Sequence, residues 1–327
     1  MQVILLNTLQ TFRTFNAALL FRLLLGGLCA ATVFALFAPL GWPFELFTHF
    51  RAQYAAFALL LAPVLLWLRH PRTAALAGAL ALFHALPTVE GALADEPVMG
   101  CEGRVFTVVT ANVQYSNGDH RVFLEWLAAH PADLVVVQEV TAAWAADLAR
   151  QRGYPHQKLL VREDPYGIGV LSRWPLDAVT PADLAGDGLP SLAGRVDAGG
   201  QSLQFLALHT RWPITPGLAR ARDDSLREAA RLIRAHGLAA VVLGDLNATP
   251  YSPVFTRFLR QSGLRAAMDG GEWRPTWLAG FWPLALSIDH VLVSPTLCVD
   301  HAEVGPPIGS DHRPVVAQLR LPSKPAP

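Results

Sequence analysis

Residues 23–40 run for 18 positions without a charge. A segment of that length and character is either buried in a large soluble core or crosses a bilayer, which takes about 17 to 25 apolar residues as a helix. Its neighbours decide between the two. Residues 52–68 form a second uncharged run, interrupted by Pro63, and residues 73–89 a third, containing His84. The first 100 residues hold five Arg, no Lys and four acids, against 21 basic and 22 acidic residues in 101–327. Helices with so little polar face have nothing to show to water. Residues 1–90 therefore read as a membrane anchor of about three transmembrane helices, ahead of a water-soluble domain. A cleavable signal peptide fits less well, because two apolar runs follow the first. Pro63 is tolerable within a helix packed among others, and His84 reads as a packed side chain.

Orientation follows from the arginines. Arg13 and Arg22 precede the first run, and Arg69 and Arg72 sit between the second and third. The loop between the first two runs holds Glu45 and Arg51, and Glu90, Asp95, Glu96 and Glu102 follow the third. The positive-inside rule puts the N-terminus in the cytoplasm and everything after about residue 90 outside. Trp42 and Trp67 suit the interfacial belt. The expected location is a bacterial cytoplasmic (inner) membrane, multi-pass, with the soluble domain on the outer face.

Residues 91–103, with their glycine, proline and acids, read as a linker. Beyond them the pattern changes. RVFTVVTANV, DLVVVQEV, GIGVLSR, SLQFLALHT, AVVLGD, SIDHVLVS, TLCVDHAEV and DHRPVVAQLRL are strand-like. Helical patterns cover about 119–129, 141–151, with Thr141 as N-cap, and 218–235. Strands outnumber helices and several are joined by short turns, so the pattern predicts two packed sheets flanked by helices. Residues 322–327 are a tail.

Chemistry concentrates where these strands end. In VVLGDLNATP, Gly244 turns the chain, and Asp245 and Asn247 follow at i, i+2, on one side of the extended backbone. A carboxylate can take a proton from water, and an amide can hold a phosphate oxygen without adding charge. The same residues also suit an Asx turn capping a strand. Asn112, Glu139, His209, Asp289, Asp311 and His312 likewise lie at or beside strand ends, where they can converge on one rim. Oxygen ligands such as Asn112, Glu139 and Asp311 suit a hard cation, Mg²⁺ or Mn²⁺, better than zinc.

The order TANV, QEV, GIGVLSR, LHT, GDLNATP, SIDHVLVS and GSDHRPV resembles the endonuclease/exonuclease/phosphatase superfamily over residues 104–321. The resemblance implies a four-layered α/β sandwich with two mostly antiparallel sheets in the middle, and a metal-dependent phosphoric ester hydrolase. It implies Glu139 as principal metal ligand, assisted by Asn112 and Asp311. Asp245 would orient or deprotonate the attacking water, and Asn247 would hold a phosphate oxygen. Asp289 would orient His312, which stabilises charge at the phosphate, and His209 would face the leaving group. In nuclease members a Glu orients that last histidine; here Tyr166 and glycines stand in its place. The N-terminal runs resemble the membrane-anchored bacterial branch.

The substrate is open at this level. The soluble domain has 21 basic against 22 acidic residues, and nucleic acid asks for a basic surface. Arg211, Arg220, Arg222, Arg227, Arg231 and Arg234 read as a solvated helix face. Tryptophans near the motif loops suit a membrane-facing rim. A phosphate-containing substrate at the membrane, a lipid head group among the candidates, therefore ranks ahead of nucleic acid, and a non-catalytic phosphate-binding module comes third. Cys101 and Cys298 are a candidate disulfide pair, with Cys29 inside an apolar helix.

Overall fold

In the computed structural model, which describes residues 2–94, 102–237, 239–268 and 274–322, the polar domain is built on two six-stranded sheets. Alternation along the strands explains the stacking. In β1 (Gly103–Asn112) and β2 (Leu134–Gln138), Val108, Leu134 and Val136 face the second sheet, whereas Val109, Val135 and Val137 face helices α4 (Arg121–Ala129) and α5 (Ala142–Leu148). In the second sheet, Phe205 and Ala207 of β7 (Ser202–His209) and Val241 and Leu243 of β8 (Ala240–Asp245) face the first. Leu206, Leu208 and Val242 pack on α6 (Pro216–His236) and α7 (Pro253–Ser262). The result is helix, sheet, sheet, helix, as the sequence pattern and its resemblance implied.

The remaining strands are β3 (His156–Leu160), β4 (Ile168–Ser172), β5 (Leu176–Asp183), β6 (Pro190–Asp197), the two-residue β9 (Arg265–Ala266), β10 (Asp289–Val293), β11 (Cys298–Val304) and β12 (Val315–Pro322). One sheet runs β11-β12-β1-β2-β4-β3 and the other β5-β6-β7-β8-β10-β9. Each has one parallel pair, β1 with β2 and β7 with β8, among antiparallel neighbours. The parallel pairs are crossed by α4 and α6, and their carboxyl ends are where polar residues can converge.

The N-terminal region forms α1 (Gln2–Leu36), α2 (Arg51–Trp67) and α3 (Pro71–Ala94). Small residues at the contact (Ala58, Ala74, Ala77, Ala81) let the helices approach closely around Leu25, Leu28, Leu61 and Leu65. Among the described residues one helix is long and apolar enough to cross a membrane, over Leu19–Leu36; α2, at 17 residues, is a shorter apolar helix. The first helix stops short of the expected residue 40 because Pro39 removes a donor, and a 3₁₀ turn takes over at Ala38–Leu40. His84 is packed, as expected, with Nε2 2.9 Å from the Thr32 hydroxyl. Cys298 is disulfide-bonded and Cys29 is free; Cys101 lies outside the described residues, as do Trp273 and most of the expected linker and tail.

Candidate active site

Register brings three of the expected side chains into one row. In the second sheet Asp245 at the end of β8 pairs with His209 of β7 on one side and with Asp289 of β10 on the other. The first sheet contributes Asn112 at the end of β1, level with Gln138 of β2, and Glu139 one residue further on. The loop before β12 supplies Asp311 and His312, anchored by a bridge between His312 and Trp277.

Two backbone features make this possible. A Cβ at Gly244 would lie 1.7 Å from the carbonyl oxygen of Leu208, so only glycine lets β8 pass β7 there, with φ +150. Glu139 (φ 66) and Asn247 (φ 46) both hold left-handed conformations. Such conformations cost non-glycine residues roughly 1–3 kcal/mol and tend to cluster at functional sites. The Asx turn is real, and it belongs to Asp245: its Oδ1 accepts from the Asn247 backbone N–H at 2.9 Å. The Asn247 side chain is free of its own backbone and donates to Thr210 O at 2.9 Å.

Glu139 accepts from Asn112 Nδ2 at 2.9 Å and from the Tyr115 N–H at 2.8 Å. Asn112 also reaches Asp245 Oδ2 at 3.4 Å, while its Oδ1 accepts from Gln114 N–H at 3.0 Å. In this rotamer Asn112 bridges two carboxylates; ligation through its oxygen requires the amide to turn over. Asp311 Oδ2 accepts from Trp277 Nε1 at 3.1 Å. His312 Nδ1 sits 2.8 Å from Asp289 Oδ2, and its Nε2 is 3.8 Å from Asp245 Oδ2. Thr276, fully buried, receives the Ile288 and Asp289 N–H groups on its hydroxyl at 3.1 Å each and fixes the start of β10. Trp277 and Thr276 carry no motif signal; only their position ahead of SIDH marks them.

The two histidines diverge electrostatically. Burial alone would lower the His312 ring, but the charge and hydrogen bond of Asp289, with Asp245 beyond, hold it at about 9. His209 is pushed down to about 3 by burial and by the charge on His312. Neither of its ring nitrogens makes a hydrogen bond of ordinary geometry, although Nε2 lies 3.6 Å from Asp245 Oδ2. Tyr166, standing where an orienting acid was sought, packs its ring 5.3 Å from the imidazole. His209 is thus a neutral ring.

The carboxylates are under-compensated. Burial drives Asp245 up to about 8, with Asp289 and Glu139 adding to the rise and His312 opposing it. Glu139 is raised as well, burial outweighing its hydrogen bonds. Asp245, Asp289 and His312 can present ligand atoms within 4.8 Å of one another. His312 Nδ1, however, is committed to Asp289, so this trio is better described as an oriented imidazolium between acids. Asp311 raises Glu139 and Glu139 raises Asp245, so these acids share one field; their oxygens are the donor type a hard divalent cation takes, and its charge would offset theirs.

The endonuclease/exonuclease/phosphatase family model matches residues 109–312, a span that holds all eight of the expected side chains and ends on His312. The chain belongs to this family. It is accordingly a metal-dependent phosphoric ester hydrolase. No curated protein matches it in sequence. Solved structures share the family fold. An endonuclease/exonuclease/phosphatase from Beutenbergia cavernae is 23% identical, with TM-score 0.56, over 68% of this chain and 73% of that one. The 3′ phosphatase NExo from Neisseria, bound to a product DNA hairpin, is 20% identical at TM-score 0.56, over 65% and 98%. The mannosyl-6-phosphatase Bt3783 of Bacteroides thetaiotaomicron is 19% identical at TM-score 0.54, over 66% and 100%.

Proposed function

We propose that the chain is a Mg²⁺- or Mn²⁺-dependent phosphoesterase anchored in a bacterial cytoplasmic membrane. Its catalytic domain lies on the outer side, and its substrate is a phosphoester at the membrane surface, a lipid head group before a nucleic acid. The chemistry rests on one observation: Glu139, Asp245, Asn247, Asp311 and His312 line a single cleft of about 530 Å³, floored by more buried negative charge than the chain itself neutralises.

A divalent cation held by Glu139 and Asp311 would supply positive charge beside the phosphoryl and leaving oxygens. Around it the chain's own groups have separable roles. Asp245 takes a proton from the attacking water. Asn247 and the His312 imidazolium face the phosphoryl oxygens, and Asp289 keeps that ring charged. His209, neutral, donates a hydrogen bond toward the leaving oxygen. Asn112 bridges the Glu139 and Asp245 carboxylates through its amide nitrogen and fixes their spacing.

Three observations support the topology. Arg22 donates to His70 Nδ1 at 3.1 Å, gathering the α1 arginine and the α2–α3 turn, with Arg69 and Arg72, at the end of the helices away from the catalytic domain. Leu59, Leu60 and Leu66 of α2 and Leu76, Leu82 and Leu86 of α3 are exposed, an outward face suited to lipid on both helices. A disulfide at Cys298 suits an oxidising compartment. Against nucleic acid, Arg227 and Arg231 pair with Asp224 and Glu228, and Arg222 is buried, so the arginine series leaves little free charge.

A panel of phospholipids, sugar phosphates and oligonucleotides, given to the full-length protein with Mg²⁺, with Mn²⁺ and with EDTA, tests the reading. Metal-dependent release of inorganic phosphate or a phosphorylated head group is expected. Release of nucleotides alone would make it a nuclease, and no turnover with bound phosphate retained would make it a binding module. A reporter fused after Pro327 that is active only in the cytoplasm would reverse the topology.

A further inference from the structure

A buried polar cluster ties the loop between α1 and α2 to the catalytic domain. Glu45, with no exposed surface, lies 2.7 Å from Arg222 Nη1 and accepts from Ser252 Oγ at 2.9 Å. Its carboxylate also faces His49 Nε2 at 3.6 Å, and His49 Nδ1 meets the Thr249 hydroxyl at 3.0 Å. Gln53 Nε2 donates to Ala285 O at 2.7 Å. Arg222, also fully buried, donates from the same Nη1 to Asn247 O at 3.3 Å, so the guanidinium joins Glu45 directly to the turn that carries the phosphate-holding amide. Burial would raise the Glu45 carboxyl, but His49 and Arg222 overcome it and hold it at about 2.

Taking an ion pair wholly out of water costs free energy unless further hydrogen bonds complete it. A loop that only joined two membrane helices would need none of this. What the cluster does fix is the pair of apolar residues on either side of His49's turn. Leu46 and Phe50 line the same cleft as Asp245 and His312, together with Trp212 and Ile214, which are 45% and 65% exposed. Hydrolysis at phosphorus needs charge and hydrogen-bond donors, and Leu46, Phe50 and Ile214 offer neither. Leu46 and Phe50 lie on the loop that leads from the apolar α1 into the apolar α2.

We infer that this loop is part of the active site: the buried Glu45–Arg222 pair fixes Leu46 and Phe50 as a wall that receives the hydrocarbon chain of a lipid phosphoester. The wall sets the preference of the site for long-chain over short-chain substrates. The inference rests on the phosphoesterase reading above. Its test uses the full-length protein in a lipid nanodisc and a series of alkyl 4-nitrophenyl phosphates, ethyl to octyl, below their micellar concentrations. All members share one scissile bond and one chromophore. The kcat/KM should rise on the order of tenfold or more from ethyl to octyl, since each buried methylene contributes severalfold. In Leu46→Ser and Phe50→Ser, the octyl-to-ethyl ratio should fall toward one, an effect that partition of the substrate into the bilayer cannot mimic. Glu45→Gln should lower the same ratio in protein shown by circular dichroism to be folded. A flat series in the parent protein, or a ratio unchanged in both wall variants, would overturn the inference. A ratio kept in folded Glu45→Gln would reduce the latch to stability alone. Release of nitrophenolate from no member, with or without divalent metal, would instead overturn the phosphoesterase reading.

Discussion

Two buried glutamates bear on the same cleft in opposite electrostatic states. Glu45, from the loop between α1 and α2, meets an arginine at 2.7 Å and a serine hydroxyl at 2.9 Å, and its acidity is strengthened to about 2. Glu139, at the end of β2, meets only an amide and a backbone N–H, with Asp311 and Asp245 nearby, and its acidity is weakened. The first has its counter-charge within the chain. The second is short of one positive partner, which is what a metal site looks like from its protein side. Both are buried, so it is the partner set that separates a structural acid from a candidate ligand.

The largest effect should come from removing each charge in metal-free protein. Glu45→Ala leaves the buried Arg222 with only the partly exposed Asp223 as counter-charge and should cost about 3 kcal/mol of stability, the low end for breaking a buried pair. Glu139→Gln should raise the metal-free Tm, because it relieves an uncompensated buried charge, yet remove the Mg²⁺-induced stabilisation and the activity. Thermal unfolding with and without Mg²⁺ measures both; a loss of Tm in each variant would erase the distinction drawn here.

Next in size is the pair Asp289 and His312. His312→Ala should lower kcat by on the order of 10²-fold or more with less change in KM. Asp289→Asn should do much of the same damage, since an amide orients the ring without stabilising its charge. The double variant should be little worse than His312→Ala alone. Additive losses confined to KM would mean that the pair only binds phosphate.

A smaller change is expected at Trp277, whose indole holds Asp311. Trp277→Phe should weaken metal affinity by roughly tenfold, as loss of a partner behind a ligand does, and calorimetric Mn²⁺ titration would detect it.

The smallest is a slope with pH. Asp245 is raised from 3.8 to about 8 and His312 from 6.5 to about 9. Folded values above unfolded ones give stability that is lost as pH rises, so metal-free protein should weaken between pH 6.5 and 8. Saturating Mg²⁺ should flatten that slope. Below 6.5, His209 and His290, lowered to about 3 and 4, act in the opposite sense. Glu45, lowered to about 2, gives up its contribution only as pH falls below 4.5. Urea denaturation across this range, with and without Mg²⁺, separates the groups; a flat metal-free profile would contradict the assignment at Asp245.

The strands that carry chemistry were legible because each is an apolar run ended by a polar residue. β8 is buried throughout, and Asp245 breaks its pattern abruptly. β3 and β5 escaped notice because they are half-exposed edge strands without clean alternation. α7 was passed over although Ser252, Pro253 and Gly263 mark its ends and Ser252 caps Val254 N–H. Arg222 was misread as one of a solvated series: the periodicity of α6 places it on a helix, but only the partner, far away in the chain, says that it is buried. Glu45 was informative about topology and silent about contact for the same reason. Among the described residues one helix long and apolar enough to cross a membrane is found where three were expected; α2 stops at 17 residues, at the turn of Leu68.

The contacts that hold the anchor loop span 207 residues from Glu45 to Ser252 and 232 from Gln53 to Ala285. Synthesis runs from the N-terminus, so the loop exists long before any of its partners. Glu45 and His49 therefore wait in water while two sheets are made, and they leave it only when β8 and the start of α7 have folded. The acquisition of the last wall of the cleft is then a late step in the life of the chain. A nascent molecule, or one truncated before residue 285, carries its N-terminal helices but has no finished site, which confines hydrolysis to molecules whose assembly is complete.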